Sequence, residues 1–141
     1  MAFRQFIERK ECVMESLIAN IIFGHFVGDF FLQHKLMAEN KFLRGKKASL
    51  WCGFHVLVYT ITVAAFVGNF SLIFLLGVAL PHFFADRFSF AYRWMCVLGR
   101  GDLMGSSDPG KASFGTVIYV VIDQTFHLGC LYLLLQVTYN L

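Results

Sequence analysis

Charge is scarce in this chain. Of 141 residues only 15% are Asp, Glu, Lys or Arg, where a soluble domain averages about 25%. That deficit excludes a surface wetted on all sides. The four cysteines, Cys12, Cys52, Cys96 and Cys130, form no C-x-x-C pair. No thiolate zinc motif or disulfide framework is therefore legible, and they read as thiols used mostly for packing, with the redox compartment left undetermined. The net charge of +3 is too small and too dispersed to point to nucleic acid. A cleavable signal peptide is not expected, because Glu8, Glu11 and Glu15 stand among the N-terminal bases and the first apolar run contains His25 and Asp29.

What remains is apolar. The chain is 57% hydrophobic with 17 Phe, and its mean hydropathy is +0.63. This is the balance of an integral membrane protein of one domain. Spans of about 20 residues are predicted at roughly 17–38, 50–68, 71–93 and 114–138. Val67–Phe70 reads as a tight hairpin, Lys41–Lys47 as the link between spans one and two, and residues 99–110 as the one long loop. Ahead of them Phe3, Phe6, Ile7, Met14 and Leu17 recur at three- and four-residue steps. Residues 1–16 are accordingly expected to form a short amphipathic helix lying in the interface. The fold class is all-α: an integral membrane four-helix bundle over 17–141 with that N-terminal helix attached. Gly28, Gly53 and Gly77 would permit close helix approach, within one chain or between chains, so the oligomeric state stays open.

Orientation follows from lysine and arginine. Lys35, Lys41, Arg44, Lys46, Lys47, Arg87, Arg93, Arg100 and Lys111 fall on the side of the 1–2 and 3–4 connections, against Arg4, Arg9 and Lys10 opposite. Both termini are expected outside a cell (inner) membrane, with the two longer connections in the cytoplasm. Trp51 and Trp94 fall at the cytoplasmic interface, where indole rings tend to sit.

Against this background three pairs stand out: His25/Asp29, His82/Asp86 and Asp123/His127, each four residues apart inside an apolar span, with His55 in the remaining one. Residues four apart share a helix face, and ionisable groups at membrane depth face the interior and carry function. Counted from the cytoplasmic side, all seven fall within a slab about 12 Å thick. His25, Asp29, His55, His82, Asp86, Asp123 and His127 are therefore candidate ligands for a divalent transition metal (zinc, manganese or iron), in number sufficient for two ions sharing a bridging aspartate. Asp29, Asp86 and Asp123 are also the candidate catalytic carboxylates. Gln33, Tyr59 and Gln124 extend the stripes as substrate-orienting or ligand-supporting residues, and Arg87, Arg93 and Lys111 would receive an anionic head group at the cytoplasmic mouth. His34 points about 100° away from Gln33 and reads as interfacial. The near phosphate loop Gly105-x4-Gly110-Lys111-Ala112 lacks the Ser/Thr and the preceding strand that function requires.

The chain resembles the domain of unknown function 3307 family of small bacterial and phage membrane proteins. The resemblance rests on Gly24-His25-Phe26-Val27-Gly28-Asp29-Phe30-Phe31-Leu32-Gln33, Met37-Ala38-Glu39-Asn40-Lys41, His55, His82-x3-Asp86 and Asp123-Gln124-x2-His127, over about 17–135. It implies a small multi-span fold and leaves the chemistry to the residues. More loosely the pattern is similar to YdjM-like membrane-bound metal-dependent hydrolases. A metal-dependent hydrolase of a lipid or amphiphilic (phospho)ester at the cytoplasmic leaflet is the leading expectation, with membrane lipid its surroundings. A metal-ion or proton transporter, and a non-catalytic protein with a structural metal or His–Asp network, are the alternatives.

Overall fold

The computed structural model describes residues 2–40 and 45–139, with side chains from Val13 onward. The described residues are helical throughout their regular structure. Helix α1 (Ala2–Phe26) continues into a π-helical turn (Val27–Phe31) and is followed by α2 (Lys35–Asn40), α3 (Lys46–Val67), α4 (Leu72–Arg87), α5 (Phe90–Val97) and α6 (Pro109–Tyr139). The long helices α1, α3, α4 and α6 are neighbours in that cyclic order; α2 rests on α3 and α5 on α6.

Local chemistry sets the boundaries. Gly68 ends α3 in the left-handed region, φ 74°, and donates to the Ala64 carbonyl at 2.8 Å, the cap glycine adopts most easily. The Ser71 hydroxyl then accepts from Phe74 N–H at 3.4 Å and opens α4. This is the hairpin expected at Val67–Phe70. At α6 the Asp108 carboxylate accepts from Gly110 N–H at 2.8 Å, with Pro109 at the first helical position.

Two spans differ from their predicted form. The first ends at Phe31 instead of running to residue 38, because the π turn, closed by Leu32 N–H to Val27 O at 3.0 Å, leads into a break before α2. The third is divided: α4 stops at Arg87 and α5 turns away by 56°. Ser89 adopts φ 49° at the corner, and its N–H has already closed back on the Asp86 carbonyl at 3.2 Å. The segment expected as a separate helix at 1–16 is helical from Ala2 but continues unbroken into the first span; the side chains of Phe3, Phe6 and Ile7 lie outside the described residues. Most of the Lys41–Lys47 link also lies outside them. By length and composition Val13–Phe31, Lys46–Val67 and Pro109–Tyr139 can each cross a membrane, and the bent α4–α5 pair can make a fourth crossing.

One half of the interior is apolar. Ile21, Tyr59, Val63, Ala64, Phe74, Val78, Leu131 and Leu135 form a buried cluster. In every long helix these residues lie toward the end bearing the α3–α4 hairpin. Close approach of the π turn to α3 requires glycine: a Cβ on Gly28 would stand 3.0 Å from the Tyr59 ring and 3.2 Å from Tyr59 Cα. Tyr59 has no retreat, since its ring stacks on His82 with centroids 3.8 Å apart. Gly28→Val is expected to destabilise by about 1–3 kcal/mol, read as a lower Tm in detergent. Gly53→Val, whose Cβ would meet nothing within 4 Å, is expected to stay within about 0.5 kcal/mol of the parent. The same space around Gly53 means that, of the glycines expected at helix contacts, Gly28 and Gly77 pack closely and Gly53 does not.

Candidate metal centre

Below the apolar cluster the polar residues meet. The π turn carries Asp29, α3 carries His55, α4 carries His82 and Asp86, and α6 carries Asp123 and His127. All but Asp123 are buried, and the Asp123 side chain is 14% exposed. Widened turns of this kind often occur at functional sites. This one turns Asp29 Oδ1 to within 3.2 Å of His55 Nε2 and 3.7 Å of His82 Nε2.

The distances define a ligand cage. His55 Nε2 and His82 Nε2 are 3.0 Å apart. Asp86 Oδ2 lies 3.4 Å from the first and 3.6 Å from the second. At metal–ligand bonds of about 2.1 Å, two donors on one ion stand between about 3.0 Å (at right angles) and about 4.2 Å (opposite) apart. All five separations fall in that window. Three triads bring one donor atom from each member within 4.8 Å of the others: Asp29/His55/His82, His82/Asp86/His127 and Asp29/Asp123/His127. Imidazole nitrogen and carboxylate oxygen are the donors that zinc, manganese and iron accept.

His25 has a different place. It is fully buried, but both ring nitrogens are engaged by neutral groups: Nδ1 with the Tyr59 hydroxyl at 2.9 Å and Nε2 with Gln124 Oε1 at 2.7 Å. The Gln124 amide donates to Asp29 Oδ2 at 3.0 Å and to Asp123 Oδ2 at 3.3 Å. Two carboxylates require a donor, so the amide NH2 faces them and its oxygen faces His25. His25 then donates from Nε2 and accepts the Tyr59 hydroxyl at Nδ1. It belongs to none of the three triads. Gln33 lies over the His55 ring, its amide nitrogen 3.3 Å from Nε2, and Tyr59 covers the other side of the cage through its stack on His82.

A cleft of about 150 Å³ opens onto this cage between the end of α1 and α6, lined by Asp29, Phe30, Gln33, Ala38, Tyr119, Val120, Asp123 and Gln124. Arg87, Arg93 and Lys111 are not among its walls. Arg87 Nε donates to Ser49 Oγ at 2.9 Å, Arg93 Nε to the Phe88 carbonyl at 2.9 Å, and Lys111 is exposed. Tyr119 is the wall residue the sequence reading overlooked, although it stands four residues before Asp123 and so on the same helix face. His34 is exposed and accepts from Leu36 N–H.

The family model described as "Protein of unknown function (DUF3307)" matches residues 17–141, and the chain belongs to that family. No curated protein and no solved structure matches it.

Proposed function

We propose that this member of the DUF3307 family is a membrane-embedded, metal-dependent hydrolase that cleaves a lipid or other amphiphilic phosphoester or ester at the cytoplasmic leaflet. The observation that carries the reading is the buried cage in which the Nε2 atoms of His55 and His82 lie 3.0 Å apart and each stands 3.2–3.7 Å from an oxygen of Asp29 and an oxygen of Asp86. A cation held among buried carboxylates and imidazoles so close together would offset the cost of burying them. A bound divalent ion would activate water and offset the charge that develops on the substrate.

Membrane insertion as a four-helix bundle is supported by an outer surface rich in large apolar side chains, including Phe31, Leu50, Ile73 and Val137, each more than 70% exposed. The excess of basic residues on the side of the longer connections supports a cytoplasmic site. The apolar cluster from Ile21 to Leu135 fills the opposite half, and among the described residues the cleft at the cage opens on the Asp123 side. That favours catalysis over transport, which needs a polar route to both faces.

The chain's own groups divide the work. Asp123, the most exposed of the three carboxylates, is the candidate base for water in the cleft. The Tyr119 hydroxyl and the Gln33 amide can donate to a substrate oxygen. Depth in the apolar layer selects substrates that partition into a bilayer. The test is elemental analysis of detergent-purified protein beside the His55→Ala/His82→Ala/Asp86→Asn variant, followed by hydrolysis assays on a lipid phosphomonoester and a lipid carboxylic ester in mixed micelles. The parent is expected to carry a transition metal and to turn over one of the two; the variant is expected to do neither. Asp123→Asn should retain metal and lose at least about 10²-fold in turnover. Metal without turnover of either lipid would leave a non-catalytic metal fold.

A further inference from the structure

We infer that the centre holds two divalent ions with Asp86 as the carboxylate that bridges them, an inference that rests on the metal reading above. Asp86 faces two groups of donors with different oxygens. Its Oδ2 lies 3.4 and 3.6 Å from the Nε2 atoms of His55 and His82, while its Oδ1 lies 3.9 Å from His127 Nε2.

The state of His127 makes the second position specific. Its Nδ1 is 2.9 Å from the main-chain oxygen of Asp123, and a carbonyl only accepts, so Nδ1 carries the proton. In a neutral imidazole Nε2 then presents a lone pair. That atom is buried and has no hydrogen-bond partner. A protonated Nε2 would be drawn to Asp86 at about 2.8 Å; at 3.9 Å there is no hydrogen bond. Two electron-rich atoms facing each other at this distance fit opposite sides of one cation, within the window of about 3.0–4.2 Å for two donors on an ion.

The donors therefore divide. One ion takes Asp29 Oδ1, His55 Nε2, His82 Nε2 and Asp86 Oδ2. The other takes Asp86 Oδ1 and His127 Nε2, while the Asp123 carboxylate stands beside the opposite nitrogen of that ring, 3.6 Å from Nδ1, and stays available as the base in the cleft. The second set has fewer buried donors and adjoins the cleft lined by Asp123, so this ion binds more weakly and offers positions to substrate. The charge balance also names the substrate class. Three carboxylates bring three negative charges and two divalent ions bring four positive ones. With neutral imidazoles the centre is net positive, which suits an anionic phosphoester; one ion alone would leave it net negative.

The test is titration of the metal-free, detergent-solubilised protein with Mn²⁺, followed by bound-metal analysis and electron paramagnetic resonance. Two equivalents are expected, the first giving an isolated six-line spectrum and the second converting it to an exchange-coupled one. His127→Ala should bind one equivalent with the uncoupled spectrum, while the parent's own stoichiometry and coupling decide the matter if that variant does not fold. One equivalent in the parent overturns the two-ion centre and leaves the metal site standing. Two equivalents without coupling place the second ion elsewhere and overturn the bridge. No binding of Mn²⁺, and none of zinc or iron in parallel titrations, overturns both this inference and the function it rests on.

Discussion

Replacing His55 by alanine is expected to cost the protein its metal, with a loss of affinity of about 10²–10³-fold. Its Nε2 lies closer to the two carboxylates than His82 does, 3.2 and 3.4 Å from Asp29 and Asp86 against 3.7 and 3.6 Å, and is 3.0 Å from His82 itself. Structural zinc sites with four protein ligands bind with about 10–16 kcal/mol. One ligand in four is therefore worth about 3–4 kcal/mol, which is the stated factor. Affinity alone does not separate a ligand from a mere ion-pair partner, so the measurement is Tm with and without chelator. A ligand that binds only the folded state stabilises it by mass action. The parent should lose Tm on chelation, and His55→Ala should start low and show no further response. If chelator leaves the parent unchanged while His55→Ala still destabilises, the imidazoles and carboxylates form a self-neutralising network and the metal reading fails.

The convergence of these residues was legible because spacing and depth are properties of sequence. His82/Asp86 and Asp123/His127 share helix faces at four-residue steps, and apolar span lengths align them at one level. Which neighbour each side chain meets was not legible. His25 and Asp29 have the same spacing as the other pairs, yet the π turn at Val27–Phe31 sends Asp29 to His55 and His82 while His25 meets Tyr59 and Gln124. A single inserted residue in a helical turn has no signature in hydropathy. The corner at Phe88–Ser89 was equally silent, because it contains neither glycine nor proline; the one internal proline, Pro81, lies within α4 and does not break it. What the basic residues touch was not legible for a related reason. Their number on one side bears on orientation, but their reach is decided by local acceptors such as Ser49 and the Phe88 carbonyl.

Gln124 offers the sharpest test of the arrangement that holds the carboxylates. Its amide donates to Asp29 and Asp123 and accepts from His25. Gln124→Glu keeps the shape, removes both donated hydrogen bonds and sets a third carboxylate against the other two. Like charges so placed cost several kcal/mol, so the metal-free variant is expected to lose about 10 °C or more in Tm. Added divalent ion screens that repulsion directly, and much of the loss should return on loading. Gln124→Leu behaves differently. It removes the amide's three hydrogen bonds, to Asp29, Asp123 and His25, and a metal ion cannot stand in for the acceptor that buried His25 loses, at about 1–3 kcal/mol, so a deficit should persist in the loaded protein. Thermal unfolding of both variants, with and without metal, therefore separates charge from hydrogen bonding. A Gln124→Glu protein as stable as the parent without metal would mean that the amide does not face the two aspartates. The tautomer of His25 deduced from that orientation would fall with it.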